Sequence, residues 1–246
     1  MRRHAVRLPS HRHRRPGTAR TNRPGDVLRC LLLTRGPEWV LVDVSTGSLM
    51  RSRASGWPVV ATDSSLAAPS SDRGEPRAGP ELDIVDIQLA DDDEPPDPAR
   101  PEAVMVLQAP ERVGTPRRRA ARRLLHELLP SNPRRPLLGS LGPSISYVDL
   151  DGSRPSVVVV APDRPPVFSS DPAGTWCQFS LGGRKHRLPV VDERLFDAKD
   201  RASSGALTND AVEKAIGGAP RYLVVALGAP HRGQAPKLVL GVLPRP

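Results

Sequence analysis

Two glycine-containing segments carry the residues of this chain that are best suited to bind an anion. Their basic side chains are Arg184, Lys185 and His186 in GGRKHR, and His231, Arg232 and Lys237 in PHRGQAPK. Guanidinium groups and glycine-exposed backbone amides bind phosphate and carboxylate well. If both segments are hairpin turns of one sheet and point the same way, their tips form a basic concavity. Charged turns also occur for solvation alone, and that interpretation stays open.

A second basic cluster lies on a predicted helix within PRRRAARRLLHELLP, residues 116–130. At 100° per residue, one face of this helix is apolar and consists of Ala121, Leu124, Leu125 and Leu128. The opposite face is basic and consists of Arg119, Arg122, Arg123 and His126. Thr115 is the predicted N-cap, with Pro116 at the first helical position. The basic face suits either a phosphate backbone or plain solvation.

Three consecutive arginines, Arg117 to Arg119, occupy the start of this helix. Positive charge at a helix N-terminus opposes the helix dipole and costs a few tenths of a kcal/mol per charge. Stability alone therefore does not explain them, which favours an anionic partner. Codon bias is the competing explanation.

The overall charge supports an anionic partner only in part. The chain of 246 residues has 36 Lys and Arg against 27 Asp and Glu, a net charge of +9. Nearly all of the basic residues are arginine, and proline is abundant, with 29 copies. This composition is typical of a GC-rich genome. The charge still attracts polyanions, whatever its origin.

The first 25 residues form a separate basic segment. They contain eight arginines, no acidic residue and no apolar periodicity. We therefore predict a disordered basic arm over residues 1–25, followed by a folded domain over residues 26–246. Within that domain, the compositions of residues 64–80 and 91–102 predict mobile connectors.

Several chemistries find no support in the sequence. Neither of the two standard glycine-rich phosphate loops occurs, and the nucleophile motif G-x-S-x-G is absent. The two cysteines lie in separate apolar runs, so we expect reduced, buried thiols rather than a disulfide or a zinc site. We expect no metal, no cofactor and no catalytic residues. Because catalytic groups can assemble from distant segments, an enzyme stays an alternative.

The hydrophobic pattern predicts an α+β fold with a mostly antiparallel, hairpin-built sheet and about three helices. Apolar strand-like runs flank turn signals in VLRCLLL–TRGPE–WVLVDV, SISYVDL–DGSRP–SVVVVAP and TWCQFSL–GGR–KHRLPVV. Two later helices are predicted in DERLFDAKDRA and NDAVEKAIGG, the second capped by Thr208 and ended by Gly217. The nearly continuous apolar runs RYLVVALG and KLVLGVLP predict strands at the centre of the sheet.

Two segments of the chain resemble each other in sequence, which raises the question of an internal duplication. GPEWVLVDVSTGS and GPSISYVDLDGS share Gly-Pro, Val-Asp and Gly-Ser at similar spacing. They suggest two similar halves, residues 26–110 and 137–246, although strand-then-turn segments also converge on such residues.

These observations lead to one main functional hypothesis and two alternatives. The main hypothesis is a non-catalytic cytoplasmic protein that engages nucleic acid or an acidic protein surface through the basic helix and the arm. The first alternative is a small-ligand-binding protein or enzyme that uses turns 184–187 and 231–237. The second is an interaction scaffold with proline-rich segments such as APDRPPV. No apolar run is long enough to cross a membrane, so no membrane partner is expected.

Overall fold

A computed structural model describes residues 5–6, 25–34, 38–52, 82–90, 97–200 and 207–246. The fold is sheet-rich, and most of its strand pairs are antiparallel, in agreement with the α+β class expected from the sequence. Most of the basic arm, the predicted mobile segment 64–80 and residues 91–96 lie outside the described residues.

The first half of the chain forms a seven-stranded sheet followed by a helix. Its elements are β1 (Ala5–Val6), β2 (Val27–Leu32), β3 (Val40–Asp43), β4 (Leu49–Ser52), β5 (Asp83–Gln88), β6 (Ala103–Val104), β7 (Glu111–Pro116) and α1 (Arg118–Glu127). The strand order is β1-β7-β5-β2-β3-β4-β6, with parallel pairing only at the two ends. Strands β2 and β3 were predicted from their apolar residues, whereas β1 and β7 were not.

The second half of the chain forms two smaller sheets and two helices. Its elements are β8 (Ser144–Ser146), β9 (Val157–Val160), β10 (Val167–Asp171), β11 (Gly174–Leu181), β12 (Arg184–Pro189), α2 (Glu193–Asp200), α3 (Asn209–Ile216), β13 (Pro220–Leu227) and β14 (Gln234–Pro244). One sheet has the order β8-β14-β13-β9, and the other has the order β10-β11-β12. The described residues contain three α-helices, as predicted.

The four-stranded sheet is the middle layer of the molecule. Alternate residues of β13 face opposite sides: Val224 packs against the seven-stranded sheet and α1, and Val225 packs against the three-stranded sheet, α2 and α3. Because both faces are covered, β13 and β14 need apolar side chains at nearly every position. The continuous apolar runs therefore predicted the central position of these two strands correctly.

The seven-stranded and four-stranded sheets approach very closely at Gly241. A Cβ atom at this position would lie 2.7 Å from Cγ2 of Thr34. The Thr34 side chain cannot readily move away, because its Oγ1 accepts a hydrogen bond from Val40 N and donates one to Glu38 O, both at 2.9 Å. Gly241 is thus required by packing between the sheets.

A buried ionic cluster also joins these two sheets. Arg51 and Glu38 are both fully buried and form a two-pronged ion pair with two contacts of 2.6 Å. Arg51 continues into the second half of the chain, where it donates to Ser156 Oγ at 2.6 Å and to Leu227 O at 2.9 Å. Arg100 contacts the same Glu38 carboxylate at 2.9 Å. Opposite charges and hydrogen bonds compensate for much of the desolvation, although burial still lowers the pKa of Arg100.

One sequence-based prediction of local structure is wrong. SISYVDL and SVVVVAP do not form a hairpin, because β8 pairs with β14 and β9 pairs with β13. The second half of SISYVDL is instead a 3-10 turn, Tyr147–Asp149. Within the predicted mobile segment 91–102, Ala99 packs in a hydrophobic cluster and Arg100 is buried in the ionic cluster. The apolar run AVMVLQ contributes only the two residues of β6, and both are partly exposed.

The two cysteines are free and buried, in agreement with the prediction. Burial, assisted by the nearby negative charges of Asp43 and Asp86, raises the pKa of Cys30 to about 12. Burial also raises the pKa of Cys177. Over the described ranges, no helix has the length and apolar character required to span a membrane.

Candidate functional site

The exposed face of α1 is one of the two basic clusters that the sequence predicted, and its apolar and basic sides lie as predicted. Ala121, Leu124 and Leu125 are buried, the two leucines against the core between the seven-stranded and four-stranded sheets. The predicted basic residues Arg119, Arg122, Arg123 and His126 are all exposed. The same amphipathic pattern that anchors the helix therefore turns its arginines toward solvent.

The start of α1 differs from the prediction. Thr115 and Pro116 are not its N-cap and first helical residue, because both lie in β7. The helix begins at Arg118 with Arg117 as its N-cap, and no side chain caps its free amides. The capping signal was misleading because Pro116 suits an extended strand end as well as a helical first turn. As a result, the first turn is strongly basic and contains no acidic residue.

Little negative charge opposes this basic face. Between positions 117 and 127, the chain has five arginines and one glutamate. That glutamate, Glu127, lies 3.5 Å from Arg123, and both side chains are about half exposed, each 49%. An exposed pair of this kind contributes little stability and is readily exchanged for another partner. The face can therefore accept further negative charge.

The basic arm attaches next to this helix. β1 runs parallel to the end of β7, with Ala5 opposite Thr115 and Val6 opposite Pro116. These two β7 residues immediately precede the N-cap of α1. The backbone of Ala5 and Val6 thus lies beside the strand end that leads into the basic first turn. No local sequence signal predicted this pairing, since Ala-Val is too short to indicate a strand.

The two glycine-containing turns lie at the same end of the molecule but belong to two different sheets, not to one sheet as the basic-concavity hypothesis assumed. Val190, just after β12, forms a parallel bridge with Val239 of β14. The first residues of both strands, Arg184 and Gln234, are therefore at the same end. Among the predicted site residues of these turns, the exposed ones are Arg184, Lys185, His231 and Arg232.

The other two predicted residues of this cluster are withdrawn from solvent. His186 is half-buried and stacks on Phe179 with ring centroids 5.1 Å apart. Burial, together with the charges of Lys237 and Arg184, lowers the pKa of His186. Lys237 is not an exposed turn residue, as the sequence suggested, but is fully buried. Its Nζ donates to the carbonyl oxygens of Ser140 and Gly142, both at 2.6 Å.

The glycine amides of the first turn are already occupied by an anion from the chain itself. Gly182 N and Gly183 N donate to the two carboxylate oxygens of Asp163, at 3.2 and 2.9 Å. The turn also packs on a loop, because a Cβ at Gly182 would lie 2.4 Å from Pro133 O. These contacts leave the turn poorly suited to bind an external anion through its backbone.

Sequence reasoning missed Asp163 and the burial of Lys237 for different reasons. The contact between Asp163 and Gly183 joins residues 20 positions apart, and no local pattern encodes it. Lys237 did carry a signal, since it opens the apolar run KLVLGVL, whose strand was itself predicted to be central. A lysine inside a buried strand is usually paired through its ammonium group.

The described residues contain no cluster of three His, Cys, Asp or Glu side chains arranged to hold a metal ion. Comparisons of the chain with protein-family models, with curated proteins and with solved structures found no match.

Proposed function

We propose that this protein is a non-catalytic binding protein that engages an anionic polymer through the exposed arginine face of α1 and the adjacent N-terminal arm. The observation that carries the proposal is the pairing of Ala5 and Val6 with Thr115 and Pro116. It places the backbone of these two arm residues beside the strand end that leads into the most basic helix. We therefore expect the arginines of the arm to add their charge to that of α1.

The dimensions of α1 suit a nucleic-acid backbone. A helix of 10 residues is about 15 Å long. Duplex DNA carries one negative charge for about every 1.7 Å of its axis, so such a helix faces several phosphates at once. Arg119, Arg122 and Arg123 occupy one side of it at spacings of three and four residues. The positive end of the helix dipole adds to their field.

Duplex nucleic acid is favoured here over an acidic protein surface. Stable protein interfaces need an apolar centre, but none of the exposed large apolar side chains among the described residues lies on α1. Aromatic rings that would stack on unpaired bases are also missing from α1. A purely cationic face is best matched by a continuous phosphate backbone, bound without sequence preference.

Fluorescence anisotropy with a labelled DNA duplex tests this proposal over a salt range of about 50 to about 300 mM. The test variant is Arg119→Gln/Arg122→Gln/Arg123→Gln. The matched control is Arg134→Gln/Arg135→Gln/Arg154→Gln, which removes three exposed arginines outside α1 and gives the protein the same net charge as the test variant. Removal of residues 1–24 measures the contribution of the arm.

The test variant should lower affinity by roughly tenfold to several hundredfold near 0.1 M salt. It should also flatten the slope of log K against log salt by about 0.9 for each phosphate that the protein no longer neutralises, hence by about 2 to 3. The matched control should weaken binding far less. Equal effects of both triple variants would mean that only bulk charge matters, and the proposal would be wrong. Stronger binding of an acidic polypeptide than of DNA would favour the protein partner instead.

A further inference from the structure

A groove of about 260 Å³ lies at one end of the four-stranded sheet. Three strand ends meet there. Val160 at the end of β9 pairs with Leu223, and Pro220 at the start of β13 pairs with Pro244 at the end of β14. The groove is lined by four prolines, three arginines and Ala219, which lie at these strand ends or within a few residues of them.

The groove carries three exposed arginines and no carboxylate. Arg164, Arg221 and Arg245 come from the three different strand ends, and each is adjacent to a proline. Some other exposed arginines pair with acids, for example Arg29 with Asp86 at 2.8 Å. None of the three groove arginines has an ion-pair partner within the described part of the chain.

The acidic residue nearest in sequence does not neutralise the groove through contact. Asp163 precedes Arg164, but its carboxylate binds the amides of Gly182 and Gly183. Three guanidinium groups around a small volume repel one another, so an anion that bridges them removes an unfavourable interaction as well as forming new bonds. A group with several oxygens, such as phosphate, matches three guanidinium groups better than a single carboxylate does.

The prolines determine what else the ligand must offer. Pro162 and Pro166 are buried and hold the segment from β9 to β10 in place. Proline has no N–H, so the floor of the groove supplies a rigid apolar surface without backbone donors. The arginines must then make the polar contacts, and an organic group can pack on the proline rings. The volume is slightly below that of typical sites for drug-sized ligands, about 300 to 1,000 Å³.

We propose that this groove binds a small organic phosphate, with Arg164, Arg221 and Arg245 around the phosphate and the prolines against the organic group. This site is independent of DNA binding by α1. The recurring Pro-Arg neighbours in DRPP, PRY and PRP were visible in the sequence. Only the sheet register shows that they meet at one end.

Isothermal titration calorimetry with ribose 5-phosphate, inorganic phosphate and ribose tests the site. Ribose 5-phosphate should bind more tightly than inorganic phosphate, because only the former contacts the prolines, and ribose should not bind measurably. Affinity should fall below about pH 6, where a phosphate monoester loses its second negative charge. Binding of all three compounds with equal weakness would overturn the proposal.

Three variants test whether ribose 5-phosphate binds in the groove. Arg164→Gln/Arg221→Gln/Arg245→Gln should weaken ribose 5-phosphate binding by at least about tenfold, whereas Arg119→Gln/Arg122→Gln/Arg123→Gln should not change it. Ala219→Glu places a carboxylate in the groove lining at an exposed position and should abolish binding. Equal effects of the two triple variants would assign the binding to net charge and refute the site. Since the α1 variant reports on DNA and the groove variant on ribose 5-phosphate, each proposal can fail alone.

Discussion

Replacement of Arg51 by methionine should be among the most destabilising substitutions in this protein. The Arg51 side chain is fully buried and bonds to Glu38 twice, to Ser156 Oγ and to Leu227 O. Methionine fills a similar volume but makes none of these bonds. The Glu38 carboxylate would remain buried with only Arg100 as an ionic partner, at 2.9 Å.

Breaking one side of a buried ion pair costs about 3 to 5 kcal/mol, because the remaining charge loses compensation that water cannot supply. That is a large share of the roughly 5 to 15 kcal/mol by which a domain is stable. The exposed pair of Arg29 and Asp86 provides the matched control. Its side chains are 48% and 25% exposed, so Arg29→Met should cost no more than about 1 kcal/mol.

Urea unfolding followed by circular dichroism measures both variants, with the slope of the transition checked against the unsubstituted protein. Adding Glu38→Gln to Arg51→Met should recover part of the stability, because the uncompensated negative charge is removed while an oxygen remains for Arg100. If Arg51→Met lowers the free energy of unfolding by less than about 1 kcal/mol, as Arg29→Met should, the ionic cluster does not hold the two sheets together.

Three further substitutions test single contacts. Gly241→Ala should lower the free energy of unfolding in urea by about 1 to 3 kcal/mol, because the new Cβ meets the Thr34 methyl group. Thr34→Ser removes this methyl group and should restore most of the stability of the Gly241→Ala variant. If stability is not restored, the strain lies elsewhere. Gly182→Ala should lower the melting temperature of the protein clearly more than Gly183→Ala does. Both glycines have positive φ, but only a Cβ at position 182 meets Pro133 O. Equal melting temperatures of the two variants would contradict this prediction. Burial lowers the pKa of Lys237 from 10.5 to about 8, so between these values the unfolded chain binds the proton that the folded chain has released. The stability of the protein relative to Lys237→Met should therefore rise with pH across this window, by as much as roughly 3 kcal/mol, and a flat difference in urea unfolding would refute it.

The sequence predicted structure well where the structure depends on residues only a few positions apart in the chain. The Thr208 side chain accepts a hydrogen bond from Ala211 N, and Gly217 ends α3 with φ of 79°, both as expected from capping preferences. The apolar stripe of α1 and the apolar runs of β13 and β14 likewise follow from residue types a few positions apart. The wrong N-cap of α1 shows the limit, because Thr115 and Pro116 suit a strand end equally well.

The candidate site also combines features that the sequence predicted with features that only the tertiary structure shows. From the sequence alone it followed that Arg119, Arg122 and Arg123 lie opposite the buried leucines of α1, since helical periodicity decides it. Only the tertiary structure decided that β8 pairs with β14, that Asp163 occupies the amides of the glycine turn, and that Lys237 is buried. These contacts join residues far apart in the chain, and their free energy depends on burial and on partners that no local spacing specifies.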